Sequence, residues 1–152
     1  MSDIVTTALA DTGVLTVCLN RPEVLNSLNR PIVERLTEVL TDADKDDGVR
    51  AIIVTGEGRG FCAGADLANG QWPSNEGWSG GDVTANAMET GYNPLVRALV
   101  HNSKPVVTAV NGVAAGGGVG IALAGDIVIA GESAKFKLVF ARQLGIISCL
   151  LY

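Results

Sequence analysis

The chain is poor in cysteine, histidine and positive charge, and each shortage argues against a class of protein. Three cysteines in 152 residues, with no CxxC pair, argue against a disulfide framework or a zinc site and favour a reducing compartment. A net charge of −5 leaves no basic stripe for phosphates, so no nucleic-acid partner is expected. Residues 1–7 contain an acid at position 3 and no apolar signal region, so we predict no signal peptide and a cytoplasmic location.

What the chain has in quantity is apolar sequence, at 47% of its residues. A chain of this length and composition suits one domain with a buried core. Residues 105–125 carry no charge over a length that could cross a membrane. Six glycines, a proline and Asn111 make that span weak, so a buried strand, a glycine-rich turn and a buried helix explain it better, with no membrane association.

Hydrophobic periodicity predicts strands alternating with helices. Residues 4–20 read as two strands around a turn at 11–13, and residues 31–46 as an amphipathic helix. The inward face of that helix is predicted to comprise Ile32, Val33, Leu36, Val39, Leu40 and Ala43. The unbroken apolar run within residues 49–55 predicts a strand buried on both faces.

The second half of the chain follows the same alternation. Residues 68–92 are rich in Gly, Asn, Ser and Trp. The segment is predicted to begin as a surface loop and to become, from about Val83, a helix that continues to Val100. Further elements are predicted as strands at 105–110 and 127–130 and a turn feeding a helix at 116–124. The order indicates an α/β fold with parallel sheets.

Two glycine-rich segments follow buried strands. Segment 58–67 (GRGFCAGADL) comes after the strand at 49–55, and segment 111–120 (NGVAAGGGVG) comes after the strand at 105–110 and opens a helix. Glycines allow sharp bends that leave backbone N–H groups free, and a helix start also offers unpaired donors. Two such elements on parallel strands could converge on one oxygen as a main-chain oxyanion hole, although close packing alone also explains such glycines.

The first segment also fits a dinucleotide-binding fingerprint loosely, as Gly58-x-Gly60-x-x-Ala63. A nucleotide site of that kind needs an acid ending a strand about twenty residues later. The polar stretch at 72–81 occupies that place, which argues against an NAD-binding oxidoreductase. No phosphate-loop lysine motif is present either, which argues against an NTPase.

Three segments, in order, resemble the crotonase (enoyl-CoA hydratase/isomerase) superfamily: residues 19–28 (LNRPEVLNSL), 61–67 (FCAGADL), and 104–118 (KPVVTAVNGVAAGGG) followed by 123–126 (LAGD). The resemblance extends to about Ile147. It implies a spiral of ββα units with parallel sheets. It also implies a cytoplasmic lyase or isomerase of fatty acid metabolism that stabilises a thioester enolate, with the acyl-CoA as substrate and no other cofactor or metal.

When the family's site residues are assigned to the matching positions of this sequence, the resemblance implies that the backbone N–H groups of Ala65 and Gly117 are the two oxyanion donors. The residues that it assigns to substrate binding are Val24, Leu25, Ala63, Asp66, Leu67 and Gly116.

The sequence departs from the family in its acids and its ending. Hydratases of the family use a glutamate three positions after the second oxyanion glycine, where this chain has Gly120, and a second one in a stretch that here reads KLVFA at 137–141. The resemblance therefore favours isomerase-type or other enolate chemistry over water addition. Residues 147–152 do not resemble the family's continuation. The chain accordingly reads as the N-terminal core (1–152) of an incomplete domain lacking the C-terminal helices, with the family's homotrimer or hexamer expected only at full length.

The remaining candidate residues have structural explanations. His101 is expected at a helix end, Asp126 and Glu132 are expected to cap the strand at 127–130, and Cys62 is expected to be packed. Loop residues that could face an acyl group, or simply be solvated or anchor the loop, are Trp72, Glu76, Trp78 and Glu89. A catalytically silent fragment with weak or no CoA binding is the alternative function.

Overall fold

A computed structural model describes residues 3–139 as strands and helices in alternation. The strands are β1 (Val5–Leu9), β2 (Val14–Leu19), β3 (Ala51–Gly56), β4 (Gly60–Cys62), β5 (Val106–Val110), β6 (Val113–Ala115), β7 (Ile127–Ala130) and β8 (Lys135–Lys137). The helices are α1 (Arg30–Lys45), α2 (Gly80–Ala87), α3 (Asn93–Val100) and α4 (Gly117–Leu123), with a 3-10 turn at Pro22–Val24 and a π turn at Met88–Tyr92.

The larger sheet has five strands in the order β1-β2-β3-β5-β7. Only β1 runs antiparallel to its neighbour; the other pairs are parallel, as predicted. The expectation that β3 is buried on both faces is wrong. Ile52 and Val54 are fully buried, whereas the alternate residues Ala51, Ile53 and Thr55 are half-buried. The sheet therefore has one face against the core and one less covered face.

The smaller sheet joins β4, β6 and β8 in parallel, and none of its strands was predicted. Each strand has three residues. Strands of three residues are too short to show alternation of apolar and polar residues. In addition, β4 and β6 lie inside the two glycine-rich segments, 58–67 and 111–120. Their pairing joins distant parts of the chain, such as Cys62 with Ala114 and Ala114 with Phe136, which local pattern cannot reveal.

Helix α1 forms almost where the periodicity predicts it. The Asn29 side chain caps its start by accepting a hydrogen bond from the Ile32 N–H at 3.2 Å, and Pro31 occupies the first turn. The predicted inward residues are all buried: Ile32, Val33, Leu36, Val39, Leu40 and Ala43.

The loop after β4 leads into a helix that begins at Gly80, three residues before the predicted start. A capping box explains the difference, because Ser79 and Asp82 satisfy each other's backbone N–H groups. Helix α2 then continues through the π turn into α3, which ends at Val100 as predicted. The π turn places Gly91 against the Trp72 ring, where a Cβ would come within 2.1 Å of a ring carbon.

The charge-free stretch at 105–125 forms β5, β6 and α4. None of the described helices is both long and apolar enough to cross a membrane. The core lies on one face of the larger sheet, under α1 and α3, and includes the fully buried side chains of Leu36, Ile52, Val54 and Phe61.

Candidate active site

The two glycine-rich segments lie against each other. Gly64 has a φ of +87°, and a Cβ there would come 2.6 Å from the Ala115 carbonyl oxygen and 3.1 Å from the Gly117 nitrogen. A Cβ at Gly118 would come 2.1 Å from the Cys62 carbonyl oxygen. Glycine is therefore required at both positions for the backbones to approach this closely. The approach puts the peptide after Gly64 beside the amide of Gly117.

Hydrogen bonds around Leu28 set the direction of the Ala65 amide. The Leu28 N–H donates to the Gly64 carbonyl at 2.7 Å, and the Asp66 N–H donates to the Leu28 carbonyl at 2.9 Å. In a parallel bridge of this kind the middle residue, Ala65, directs its own N–H away from the partner strand. Within residues 3–139, neither the Ala65 N–H nor the Gly117 N–H donates a hydrogen bond.

Ala65 and Gly117 line the same cavity, which has a volume of about 560 Å³. The Trp72 and Tyr92 rings form one part of its wall, with centroids 5.1 Å apart and planes at 43°. Much of the remaining wall is apolar: Val83, Ala87, Met88, Leu95, Val96 and Ile121. The cavity is thus largely apolar and is lined by two residues whose N–H groups donate no hydrogen bond within residues 3–139, a combination typical of small-molecule sites.

Asp66 lines the cavity, but its carboxylate is held by protein donors. It accepts hydrogen bonds from the Asn69 N–H at 2.9 Å and the Ala68 N–H at 3.2 Å, and it pairs with Arg21 at 3.0 Å. Burial opposes ionisation, but these donors, with Asn69 the strongest, hold the pKa of Asp66 below its usual range. Asp66 is therefore an ionised group that fixes the turn after Ala65.

Tyr92 is a cavity residue for which the sequence carries no signal. Its hydroxyl donates to the Leu28 carbonyl at 3.3 Å, the same oxygen that accepts the Asp66 N–H. Burial raises the pKa of the Tyr92 hydroxyl, so it stays protonated at neutral pH.

The segment at 21–28 is fixed to the first glycine-rich segment. Asn26 has a left-handed φ of 56°, and its buried amide group donates to the carbonyls of Glu57 at 3.0 Å and Gly60 at 2.8 Å. The Ala63 N–H donates to the Leu25 carbonyl at 2.9 Å. This network holds segment 21–28 beside the turn that carries Ala65.

The predicted site residues separate into two groups. Ala65, Asp66, Leu67 and Gly117 line the cavity, with Leu67 82% exposed. The others do not line it: Val24 and Leu25 lie in the neighbouring segment, Ala63 precedes the turn, and the buried Gly116 N–H donates to the Lys137 carbonyl at 3.0 Å.

Gly120 also lines the cavity, and no atom of residues 3–139 would lie within 4 Å of a Cβ at this position. Of the loop candidates, Trp72 lines the cavity, whereas Glu76, Trp78 and Glu89 do not. The ionisable residues in its described wall are Asp66 and Tyr92. The cavity therefore has open space at Gly120 within the described residues.

Of the residues given structural explanations, His101 and Cys62 behave as predicted, whereas the Asp126 carboxylate binds the first residue of β5 and does not cap β7. His101 is exposed and ends α3, and the Asp126 carboxylate accepts from the Val106 N–H at 2.8 Å. Burial raises the pKa of the Cys62 thiol to about 12, which leaves it neutral. Glu132 is exposed beside β7.

Comparison with known proteins decides the family. Residues 10–151 match the family model described as enoyl-CoA hydratase/isomerase. The chain belongs to the enoyl-CoA hydratase/isomerase family. The α/β architecture with parallel sheets agrees with the fold expected from the resemblance.

Individual members of the family are similar to the chain at moderate identity. It is 48% identical over 141 residues to a 1,2-epoxyphenylacetyl-CoA isomerase of Escherichia coli, covering 89% of the chain and 50% of that protein. It is 42% identical to a probable enoyl-CoA hydratase of Rhodobacter capsulatus, and the match covers 86% of the chain and 47% of that protein. A crystal structure of a probable enoyl-CoA hydratase/isomerase from Mycobacterium abscessus superposes with a TM-score of 0.81 at 30% identity. The superposition covers 95% of the chain and 52% of that structure.

The chain spans about half the length of the family members that it matches. The matched half contains both glycine-rich segments and the cavity between them. The family's trimeric or hexameric assembly stays a prediction for this chain.

Proposed function

We propose that this chain binds an acyl-CoA thioester and stabilises its enolate with the backbone N–H groups of Ala65 and Gly117. The single observation that supports the proposal is that Ala65 and Gly117, whose N–H groups donate no hydrogen bond within the described residues, line one cavity. Negative charge grows on the thioester oxygen as the α-carbon loses a proton. Two fixed donors stabilise that charge, and losing one typically costs about 3–4 kcal/mol of transition-state stabilisation.

The acyl group is proposed to enter the apolar chamber, and the CoA portion to leave past the exposed Leu67. Val24, Leu25 and Ala63 are proposed to contact the adenine and pantetheine beyond the rim, while Asp66 and Gly116 act through the backbone they fix. In this proposal the thioester is the substrate, and no further cofactor or metal takes part.

Isomerase-type or other enolate chemistry is favoured over water addition. The residue facing the cavity three positions after Gly117 is Gly120, which cannot transfer a proton. Residues 137–139 (KLV) supply no acid either, and positions 140 and 141 of the predicted stretch lie outside the described residues. The likeness to an isomerase at 48% identity supports the same preference.

The second candidate function is a catalytically silent chain with weak or no CoA binding, favoured because Gly120 supplies no proton-transferring group to the cavity. Calorimetry of the chain with acetyl-CoA and with NAD separates the candidates. Tight binding of acetyl-CoA alone supports the proposal, weak binding or none supports the silent alternative, and binding of NAD alone contradicts both.

The amide of Gly117 is tested by Gly117→Pro, because proline is tolerated at the first position of a helix and has no N–H. Gly117→Ala is the matched control, since a Cβ there would meet, among the described residues, only Leu28 at 3.9 Å and the N–H is kept. The readout is the pH at which bound acetoacetyl-CoA forms its enolate, followed by ultraviolet absorbance.

We expect the unmodified chain and Gly117→Ala to lower the enolate pKa of bound acetoacetyl-CoA. Gly117→Pro should weaken enolate binding about 100-fold or more while leaving the circular dichroism spectrum unchanged. Equal enolate pKa values in the proline and alanine variants would contradict a role for this amide.

A further inference from the structure

Arg21 makes contacts unlike those of the surface arginines. Its guanidinium donates to the Ser27 carbonyl at 2.7 Å and to the Asp66 carboxylate at 3.0 Å. The side chains of Arg21 and Asp66 are only 14% and 7% exposed. The ion pair of Arg35 with Glu38, by contrast, is 47% and 59% exposed, and pairs of that kind contribute little to stability.

The two acceptors of Arg21 flank the bridge that orients the Ala65 amide. Ser27 precedes Leu28, whose N–H and C=O bond to the residues on either side of Ala65. Asp66 follows Ala65, and its carboxylate also accepts the N–H groups of Ala68 and Asn69. Arg21 therefore links both strands of the bridge through a single planar group.

Arg21 is poorly placed to bind substrate phosphate itself. Each terminal nitrogen already has a protein acceptor, and the side chain is largely buried. It does not line the cavity. Its contacts all lead to the turn that carries Ala65.

We infer that Arg21 is a positioning residue that fixes the direction of the Ala65 N–H through Ser27 and Asp66. The inference rests on the proposed function, because it concerns the donor assigned there to the enolate oxygen. Hydrogen bonds weaken steeply as their angle departs from linear, and a small displacement of a catalytic group lowers the rate strongly. Lysine, a point charge on a flexible stem, cannot hold two acceptors in one plane as a guanidinium does.

The test measures the enolate pKa of bound acetoacetyl-CoA in the full chain. Arg21→Met removes the charge and the donors, Arg21→Lys keeps the charge, and Arg35→Met is the matched control on the exposed pair. We expect Arg21→Met to raise the enolate pKa by about one unit, a tenfold loss, with acetyl-CoA affinity nearly unchanged. Arg21→Lys should recover part of the loss, and Arg35→Met should match the unmodified chain.

Asp66→Asn provides a second route if Arg21→Met does not fold. The amide oxygen can still accept from Ala68 and Asn69, but the ion pair is lost, so the enolate pKa should rise in the same direction. A double variant Arg21→Met with Asp66→Asn should be no worse than the worse single variant, because both changes break one contact.

A lower melting temperature with an unchanged enolate pKa in Arg21→Met and Asp66→Asn would overturn the inference and leave the proposed function standing. An unmodified chain that fails to lower the enolate pKa would overturn the proposed function and the inference with it.

Discussion

Gly118 and Gly120 lie two residues apart in α4, yet their surroundings are opposite. A Cβ at Gly118 would meet the Cys62 carbonyl oxygen at 2.1 Å, whereas a Cβ at Gly120 would meet no atom of the described part of the chain within 4 Å. Glycine in a helix costs about 1 kcal/mol relative to alanine. The contact with β4 therefore explains why Gly118 is needed for the fold, and the fold does not explain Gly120.

Alanine at these two positions should change stability in opposite directions. Gly118→Ala should destabilise the chain by about 1–3 kcal/mol or more, because the backbone of β4 must move. Gly120→Ala should stabilise it by up to about 1 kcal/mol. Urea unfolding of both variants measures the difference, and equal effects would contradict the close contact between α4 and β4.

At the scale of elements, segment 21–28 has no helix or strand periodicity, and Asn26 holds it in place. The Asn26 side chain accepts from the Arg21 N–H at 2.8 Å and donates to two carbonyls of the β3–β4 region. Its left-handed backbone suits asparagine or glycine. One buried side chain thus fixes both the local backbone and its packing against the first glycine-rich segment.

Two substitutions of Asn26 separate the contribution of its side-chain hydrogen bonds to stability from that of its left-handed backbone. Asn26→Gly keeps a permissive backbone and loses the hydrogen bonds, which should cost about 1–3 kcal/mol. Asn26→Ala should cost about 1 kcal/mol more, because alanine disfavours positive φ. Thermal and urea unfolding provide the comparison; an alanine variant as stable as the glycine variant would argue against the left-handed conformation.

The sequence predicted the elements best where their pattern is local. Helix α1 was predicted within one residue at each end, because six apolar residues at helical spacing define its buried face. Strands β4, β6 and β8 were missed because three residues cannot show alternation. Helix α2 begins three residues before the start that apolar periodicity predicts, because the Ser79–Asp82 capping box sets its first turn.

At the scale of the whole molecule, the centre of the larger sheet and its β7 edge differ in burial. Ile52 in the central β3 is fully buried, whereas Ile129 in the edge strand β7 is 58% exposed in the described structure. Both residues are isoleucines in parallel strands of one sheet. The core is therefore centred on β2, β3 and β5 and thins toward β7.

Matched alanine substitutions test this distribution of burial. Ile52→Ala should cost about 2–5 kcal/mol in the free energy of unfolding, since it leaves a cavity in packed surroundings. Ile129→Ala should cost less than about 1 kcal/mol, because little apolar area is buried there. A loss at Ile129 as large as that at Ile52 would show that β7 is covered in solution.

The sequence alone determined the alternation of strands and helices, the buried face of α1 and the two glycine-rich segments, because these depend on neighbours along the chain. Tertiary structure decided how the segments meet. Arg21 and Asp66 are separated by 45 positions, and Tyr92 and Leu28 by 64, yet each pair forms a hydrogen bond at the site. Local periodicity carries no information about such contacts, which exist only after the sheets pair and the glycines permit their close approach.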